Sequence, residues 1–327
     1  MCTAVTWNAG CHYFGRNLDL EYSYREAVTV TPRNYPFHFR MLPTMDTHYA
    51  MIGVATVEDG YPLYYDAVNE KGVCIAGLNF PGLAHYGKAQ TGKDNVATFE
   101  LIPWILGNCA SVDDAEGLLQ RIQITDTPFS EAFQPTPLHW IIADRNRSIT
   151  VESMADGLHI HQNPVGVLTN NPPFDFHLYN LRNYMQVSTA PAANLFSDTL
   201  DLTPYSNGMG GIGLPGDFSS ASRFIRAAFV KLNSVAGDAE EQAVSQFLHI
   251  LASVSMPRGC VKMPGNRYEI TLYSSCCNAD KGIYYYTTYD NARICAVEMH
   301  REDLDGAKVI SYPLLHTPDF FMQNSLS

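Results

Sequence analysis

The sequence has no apolar stretch approaching the roughly 18 residues that a membrane-spanning helix requires. Its first residues lack the basic and then apolar pattern of a secretory signal peptide, so we expect a cytoplasmic protein. Cations are scarce, because 21 Lys and Arg residues stand against 33 Asp and Glu residues, a formal net charge of −12. A surface of that sign repels phosphate groups, so neither nucleic acid nor a membrane surface is an expected partner.

Cysteine is present, but not in the spacing of a metal site. The eight cysteines form no Cys-x-x-Cys pair and no zinc-type grouping with histidine, so we expect mostly reduced, buried thiols and no metal. The adjacent Cys276 and Cys277 would make only a strained redox pair, because neighbours in a strand point to opposite faces. His159 and His161 share one face of a predicted strand, but no third ligand is evident nearby, so solvated histidines are the favoured interpretation.

No repeat, low-complexity segment or linker divides the 327 residues, so residues 1–327 are expected to form a single domain. Most of the chain consists of extended, alternating segments separated by turn residues. The predicted strands cover residues 2–7, 11–16, 28–31, 50–56, 63–68, 73–78, 138–143, 149–153, 158–161, 165–170, 268–274, 282–288, 294–299 and 309–312.

Helical spacing is confined to two blocks. The first contains residues 99–106 and a helix that begins at the capping residue Ser111 and carries Leu118, Leu119 and Ile122. The second lies in the C-terminal half and contains two helices, one with apolar residues at helical spacing between 225 and 232 and one with apolar residues between 243 and 251. Groups of strands with segregated helices predict an α+β sheet sandwich rather than an alternating β-α-β fold.

Cys2 is the most informative position for chemistry. Initiator methionine is usually removed when a small residue follows, so Met1-Cys2 predicts a mature chain that begins with cysteine. That residue carries a thiol and an α-amine, and the ordinary pKa of an α-amine is about 7.7 to 8.0. A single residue then supplies both a nucleophile and its base.

Two charged residues are expected beside this chain end. Residues 8–10 have turn chemistry, and a three-residue turn centred on residue 9 places Arg16 opposite Cys2. A guanidinium there favours the thiolate and disfavours protonation of the amine, while the carboxylate of Asp19 is close enough to orient the amine. The alternative interpretation is a small strand residue, a surface charge and a turn former at these three positions.

A series of motifs extends along nearly the whole chain. In order they are Met1-Cys2-Thr3, Gly15-Arg16-Asn17-Leu18-Asp19, Thr31-Pro32-Arg33-Asn34-Tyr35-Pro36, Tyr61-Pro62-Leu63-Tyr64-Tyr65-Asp66-Ala67, Asn69-Glu70-Lys71-Gly72, Ala76-Gly77-Leu78-Asn79-Phe80, Leu168-Thr169-Asn170-Asn171-Pro172, Gly210-Gly211-Ile212-Gly213-Leu214-Pro215-Gly216-Asp217 and Ser222-Arg223-Phe224. Together they resemble the choloylglycine hydrolase family, which contains the bile salt hydrolases and the penicillin V acylases. The resemblance implies the four-layer αββα sandwich of N-terminal nucleophile hydrolases.

The resemblance also implies a catalytic group. It makes Cys2 the nucleophile and, through its amine, the base and later the acid. Arg16 and Asp19 match family residues that position and tune Cys2. Asn79 and Asn170 match positions of the oxyanion site, and Arg223 matches the arginine that completes the group.

The two asparagines and Arg223 each have a physical case and an alternative. Asn79 and Asn170 end predicted strands, where an amide can donate to a developing oxyanion, although an isolated asparagine is more often a turn residue. Asn171 remains an alternative to Asn170. Arg223 lies in the first turn of a predicted helix, where a cation opposes the macrodipole, so helix stability does not explain it. A salt bridge is its alternative role, and Arg226 is its nearest competitor.

The residue at position 79 helps to separate the two activities of the family, because bile salt hydrolases typically carry asparagine there and penicillin V acylases tyrosine. The resemblance therefore implies hydrolysis of the amide that joins a bile acid to glycine or taurine, with no cofactor, by a homotetramer. The alternatives are an acylase acting on penicillin V or acyl-homoserine lactones, and a catalytically idle bile-acid-binding sensor. The predicted substrate contacts are Leu20, Tyr65, Phe129, Phe133 and, near the amino-acid end, Asn207.

Overall fold

Strands make up most of the regular structure in the computed structural model, which describes residues 1–325. In chain order the strands are β1 (Cys2–Ala9), β2 (Cys11–Leu20), β3 (Ala27–Thr31), β4 (Met51–Glu58), β5 (Tyr61–Asn69), β6 (Cys74–Asn79), β7 (Asp94–Ala97), β8 (Ile122–Thr125), β9 (Leu138–Ala143), β10 (Ser148–Met154), β11 (Gly157–Gln162), β12 (Val167–Leu168), β13 (Lys262–Met263), β14 (Arg267–Tyr268), β15 (Ile270–Asn278), β16 (Ile283–Thr288), β17 (Cys295–Glu298) and β18 (Ile310–Pro313). The α-helices are α1 (Leu101–Asn108), α2 (Val112–Leu119), α3 (Phe174–Asn180), α4 (Ser220–Asn233) and α5 (Glu240–Ala252).

Two large antiparallel sheets face each other. One has six strands in the order β12-β1-β2-β15-β16-β17, and the other has eight in the order β11-β10-β9-β6-β5-β4-β3-β18. Helices α4 and α5 cover the outer face of the six-stranded sheet, and α1 and α2 cover that of the eight-stranded sheet. The α+β, four-layer αββα prediction is therefore confirmed.

Burial on both faces explains why several strands lack polar alternation. In β4, Ile52 and Val54 pack between the sheets, whereas Met51 and Ala55 pack toward α1 and α2. The same alternation between two apolar layers occurs in β5, β6 and β9. The central strands of the eight-stranded sheet therefore contribute to two cores, one between the sheets and one beneath α1 and α2.

The β1–β2 hairpin is tighter than the sequence predicts. It turns at Gly10, whose φ of 71° lies in the left-handed region that glycine adopts at little cost. Cys2 pairs with Leu18 and Arg16 with Ala4, so the predicted pairing of Cys2 with Arg16 is wrong. Because the register differs by two residues, the side-chain faces are preserved, and Arg16 stays on the same face as Cys2.

The helical block before β9 also differs from its prediction. Helix α2 ends at Leu119, and Ile122 instead begins β8, which pairs in parallel with β7. Ile122 is buried there in the core beside α1. The strand therefore removes this apolar side chain from water as effectively as a longer helix would. Within residues 1–325, no helix has the length and apolar character needed to cross a bilayer.

Candidate active site

Cys2 begins β1 and lies buried at one end of a cavity of about 350 Å³. Its backbone nitrogen donates to Oδ1 of Asn170 at 2.9 Å. Met1 precedes it here, so this nitrogen is an amide that occupies the place of the α-amine in a chain beginning at Cys2. The Met1 amine donates to the Asp19 carbonyl oxygen at 2.7 Å and contacts the Glu269 carboxylate. Burial lowers the pKa of that amine.

Arg16 is fully buried in β2 and connects the two sheets. Its Nη1 donates to the carbonyl oxygens of Tyr65 at 3.0 Å and Gly77 at 2.6 Å. Nε and Nη2 have no partner among residues 1–325, and the residue lines the cavity with Cys2. Burial opposes the charge, but nearby Cys2, Tyr273 and Asp66 outweigh it and raise the pKa of Arg16.

Asp19 is buried on the same strand. Its Oδ1 accepts a hydrogen bond from the Thr271 hydroxyl at 2.6 Å, and Oδ2 has no partner in the described part of the chain. Burial raises the pKa of the Asp19 carboxyl, although Arg223 and the chain amine act in the opposite direction. An unpartnered carboxylate oxygen beside the chain end is placed to accept from an amine.

Asn170 contacts more of the predicted site residues than any other asparagine considered in the sequence analysis. Its Oδ1 accepts from the Cys2 nitrogen and from Nη2 of Arg223, while its Nδ2 donates to the Asn79 carbonyl oxygen at 2.7 Å. The adjacent Asn171 instead donates to the carbonyl oxygen of Pro81 at 2.8 Å. Of the two candidates, the structure brings Asn170 to Cys2.

Arg223 lies in the first turn of α4, as predicted, and is fully buried. Its Nη1 donates to the Cys2 carbonyl oxygen at 2.5 Å and to the Thr3 hydroxyl at 2.7 Å. Nη2 donates to Asn170 at 2.7 Å, and Nε to the Phe218 carbonyl oxygen at 3.0 Å. Burial lowers the pKa of Arg223, and Asp19 and Cys2 counteract that effect.

Asn79 ends β6 at the rim of the cavity that contains Cys2, and its side chain is half-buried. The cavity walls are largely apolar and aromatic, the composition usual for small-molecule pockets. They include four of the predicted substrate contacts, which are Leu20, Tyr65, Phe129 and Phe133. The fifth, Asn207, is exposed and lies outside this lining.

Several groups around Cys2 were not found from the sequence. They include the carbonyl oxygen of Gly77, the hydroxyls of Thr3 and Thr271, and the cavity residues Tyr24, Phe99, Ile102 and Trp140. Backbone carbonyls carry no residue-type signal, and aromatic residues on buried strands do not differ in pattern from ordinary core. Only the closeness of Thr3 to Cys2 in the chain is a usable signal.

The described residues contain no cluster of three or more His, Cys, Asp or Glu side chains arranged to hold a metal. His159 contacts Asp156, and His161 approaches the Glu152 carboxylate at 3.6 Å. All eight cysteines are free, including the buried neighbours Cys276 and Cys277. Around Cys2 the structure gathers the chain amine, two guanidiniums, the Asp19 carboxylate and the Asn170 amide, and the Asn79 amide lines the same cavity.

Comparison with known proteins agrees with this arrangement. The family model of linear amide C–N hydrolases, choloylglycine hydrolase family, matches residues 2–312. The chain belongs to the choloylglycine hydrolase family. It is 52% identical to a bile salt hydrolase/transferase from Lactiplantibacillus plantarum over 99% of this chain and 100% of that protein. A bile salt hydrolase/transferase from Clostridium perfringens is 39% identical over 95% and 96% of the two chains.

Solved structures of this family share the fold. A mutant of the conjugated bile acid hydrolase from Clostridium perfringens superposes with a TM-score of 0.92 at 37% identity, covering 99% of this chain and 100% of that one. Penicillin V acylase from Agrobacterium tumefaciens gives a TM-score of 0.75 at 19% identity, with coverage of 95% and 90%. The choloylglycine hydrolase chain described here is thus a hydrolase of linear amide bonds with an N-terminal nucleophile hydrolase fold.

Proposed function

We propose that this protein hydrolyses the amide bond between a bile acid and glycine or taurine, with Cys2 as the nucleophile. The supporting observation is the position of Cys2, buried at one end of an apolar cavity with its nitrogen on Asn170 and its carbonyl oxygen on Arg223. The bile salt hydrolase names of the relatives agree with this substrate class.

The reaction begins once Met1 has been removed and the Cys2 nitrogen is an amine. The amine takes the thiol proton, and the sulfur attacks the amide carbonyl carbon of the substrate. The carbonyl π electrons move onto oxygen in a tetrahedral intermediate. The proposed donors to that oxygen are the side-chain amides of Asn79 and Asn170. The protonated amine gives its proton to the departing glycine or taurine nitrogen as the C–N bond breaks, leaving a thioester on Cys2.

A water molecule completes the cycle. The Cys2 amine takes a proton from the water as its oxygen attacks the thioester carbon. The second tetrahedral intermediate collapses, the C–S bond breaks, and the free bile acid leaves as the sulfur regains its proton. No electrons are transferred to another molecule, and no cofactor is involved in the proposed sequence.

The buried charged residues prepare Cys2 for these steps. Arg16 lines the cavity beside Cys2, and its Nε and Nη2 have no partner among residues 1–325, so the guanidinium can stabilise negative charge that develops on the sulfur during attack. The Asp19 Oδ2 atom accepts from the amine and holds its lone pair toward the thiol proton. Arg223 fixes the Cys2 peptide unit by donating to its carbonyl oxygen.

The cavity suits a rigid apolar acyl group. Its volume of about 350 Å³ lies in the range of small-molecule pockets, roughly 300 to 1,000 Å³. Leu20, Tyr65, Phe129 and Phe133 are the proposed steroid contacts. Asn207 is proposed to lie near the amino-acid end of the substrate. It is exposed and outside the cavity lining, so this contact requires its loop to move toward the cavity.

We further propose a cytoplasmic homotetramer of single-domain subunits. Large apolar side chains are exposed in the segment 185–212, and burial against another subunit would remove them from water. They include Met185, Leu195, Phe196, Tyr205 and Ile212. Light scattering of the purified protein tests the tetramer, and a monomeric mass at micromolar concentration contradicts it.

The function is tested by incubating the purified protein separately with glycocholate, taurocholate and penicillin V while released amine is measured. We expect glycine or taurine release by the wild type and by Cys260→Ser, an exposed control, and none by Cys2→Ser. Equal release by Cys2→Ser contradicts catalysis by Cys2. Penicillin V cleavage alone identifies an acylase, and bile acid binding without turnover identifies a sensor. Intact mass must show that Met1 is absent.

A further inference from the structure

Two buried histidines lie beneath the segment that carries Asn170. His139, on β9, places Nε2 at 2.9 Å from the carbonyl oxygen of Thr169, and His177, on α3, places Nε2 at 2.9 Å from that of Asn170. Both side chains are completely buried. Because a carbonyl oxygen only accepts hydrogen bonds, each Nε2 must carry a proton.

Each histidine ring also stacks on a phenylalanine, and each phenylalanine directly follows a predicted site residue in the chain. His139 lies parallel to Phe80, with 4.3 Å between ring centroids, and Phe80 follows Asn79. His177 lies on Phe224 at 4.7 Å, and Phe224 follows Arg223. The two imidazoles therefore connect the Asn170 segment to the backbone of both Asn79 and Arg223.

A buried carboxyl group fixes the orientation of the His139 ring. Glu152, on β10, places Oε1 at 2.9 Å from Nδ1 of His139 and accepts from the backbone nitrogen of Phe174 at 3.1 Å. Burial opposes ionisation of Glu152, but its hydrogen bonds with His139 and His161 outweigh that effect and lower its pKa to about 2. Both ring nitrogens of His139 are therefore held by hydrogen bonds, one to Glu152 and one to the Thr169 carbonyl oxygen.

We propose that Glu152, His139 and His177 are positioning residues that hold Asn170 in its catalytic orientation. Glu152 orients His139, and the two rings hold the Thr169 and Asn170 carbonyl oxygens from below. The Asn170 side chain is then left to contact Cys2, Asn79 and Arg223. This inference rests on the proposed amidase function, since it assigns residues that act through Asn170.

The kinetic test compares folded variants acting on the preferred conjugated bile acid. We expect Glu152→Gln and His139→Leu to lower kcat by about 10-fold to 100-fold, as loss of residues supporting a site typically does. KM should change by no more than about threefold, because neither residue contacts the cavity. His177→Gln, which retains an amide donor, should keep more activity than His177→Leu. His38→Gln, at an exposed histidine whose ring contacts the Thr44 hydroxyl, is the control.

A second readout does not depend on turnover. Nitrogen-15 NMR of labelled histidine rings should show a proton on Nε2 of His139 and of His177, and the His139 signal should be absent from His139→Leu. In Glu152→Gln the His139 signal should shift, because the partner of Nδ1 has changed. An Nε2 without a proton on His139 in the wild type overturns the inference, as does a wild-type kcat in folded Glu152→Gln. The inference is also overturned if kcat falls only in proportion to the fraction of the variant that is unfolded. An inactive wild type contradicts the proposed function instead, and the NMR result still tests the contact of His139 with the Thr169 carbonyl oxygen.

Discussion

Arg223 and Cys2 are 221 positions apart in the chain, yet Nη1 of Arg223 donates to the Cys2 carbonyl oxygen at 2.5 Å. The other terminal nitrogen of the guanidinium donates to Oδ1 of Asn170, which also accepts from the Cys2 nitrogen. Cys2 is therefore held at both its nitrogen and its carbonyl oxygen by two side chains that are hydrogen-bonded to each other. Replacing either side chain should alter the position of the nucleophile.

The two neighbouring asparagines provide a matched pair of variants. Asn170→Ala removes the acceptor for the Cys2 nitrogen and should lower kcat by about 10² to 10³, the usual effect of losing a donor or positioning amide at an oxyanion site. Asn171→Ala removes only a bond to the Pro81 carbonyl oxygen and should change kcat by less than about threefold. Steady-state kinetics on one conjugated bile acid compare the two, and equal losses contradict the assignment.

Asp19→Asn should separate activity from stability. The substitution keeps an acceptor for Thr271 but removes the charge that orients the amine, so kcat should fall by roughly 10² to 10⁴. Burial raises the pKa of Asp19, which means that its ionised form is disfavoured in the folded protein. The free energy of unfolding at pH 7 should therefore equal or exceed that of the wild type in urea titration. An active Asp19→Asn enzyme, or one less stable, contradicts this account.

His12 should make the protein less stable in mild acid. It is buried with no partner for Nδ1, and burial lowers its pKa to about 4. Because the unfolded chain binds a proton near pH 6.5 and the folded one only near pH 4, stability is complete above pH 6.5 and falls as pH drops toward 4. His161 acts in the opposite direction, since Glu152 raises its pKa.

A variant isolates the contribution of His12. Between pH 7 and pH 4.5 the wild type should lose about 2 to 3 kcal/mol more unfolding free energy than His12→Gln, as the size of the pKa shift requires. Urea unfolding at a series of pH values measures the difference. Parallel curves for the two proteins contradict a neutral, buried His12.

Phe129 should contribute to substrate binding rather than to the chemical step. Its loop is held by Arg40, which donates to the Phe129 carbonyl oxygen at 2.7 Å and lies 5.4 Å from its ring centroid. Phe129→Ala should raise KM for conjugated bile acids by about tenfold or more, since burying such a side chain contributes about 1.5 to 3 kcal/mol. The value of kcat should stay within about twofold. Phe176→Ala, at an exposed position, is the control, and an unchanged KM for Phe129→Ala places the steroid elsewhere.

Local patterns predicted much of the fold, because strand alternation and helix spacing depend on near neighbours. The hairpin register was wrong by two residues, since the chain turns at Gly10 alone and nothing in residues 8–10 distinguishes a short turn from a longer one. Ile122 begins a short strand and does not extend the helix before it. The sequence does not distinguish these two structures, because a single apolar residue at this spacing is compatible with both.

The contacts of the site depend on tertiary structure and were beyond local patterns. Nothing in the spacing of Arg223 connects it with Cys2, and that expectation came from resemblance to a family. The choice between Asn170 and Asn171 was likewise open, because adjacent side chains differ only in direction. His139 and Glu152 gave no sequence signal, since His139 is one polar residue in an apolar strand and Glu152 is one of several polar residues in its strand.

The two sheets carry different parts of the site. Cys2, Arg16 and Asp19 belong to the six-stranded sheet, whereas Tyr65 and Trp140 belong to the eight-stranded sheet and Phe129 to a loop beside it. The division is not complete, because Asn79, a proposed oxyanion donor, ends β6 in the eight-stranded sheet and Leu20, a proposed steroid contact, ends β2 in the six-stranded sheet. Substitutions at Tyr65, Trp140 and Phe129 can nevertheless reshape the cavity without replacing any residue of the six-stranded sheet. This separation lets a common reaction be redirected to new acyl groups, and it makes the loop around Phe129 the natural target for engineering substrate range.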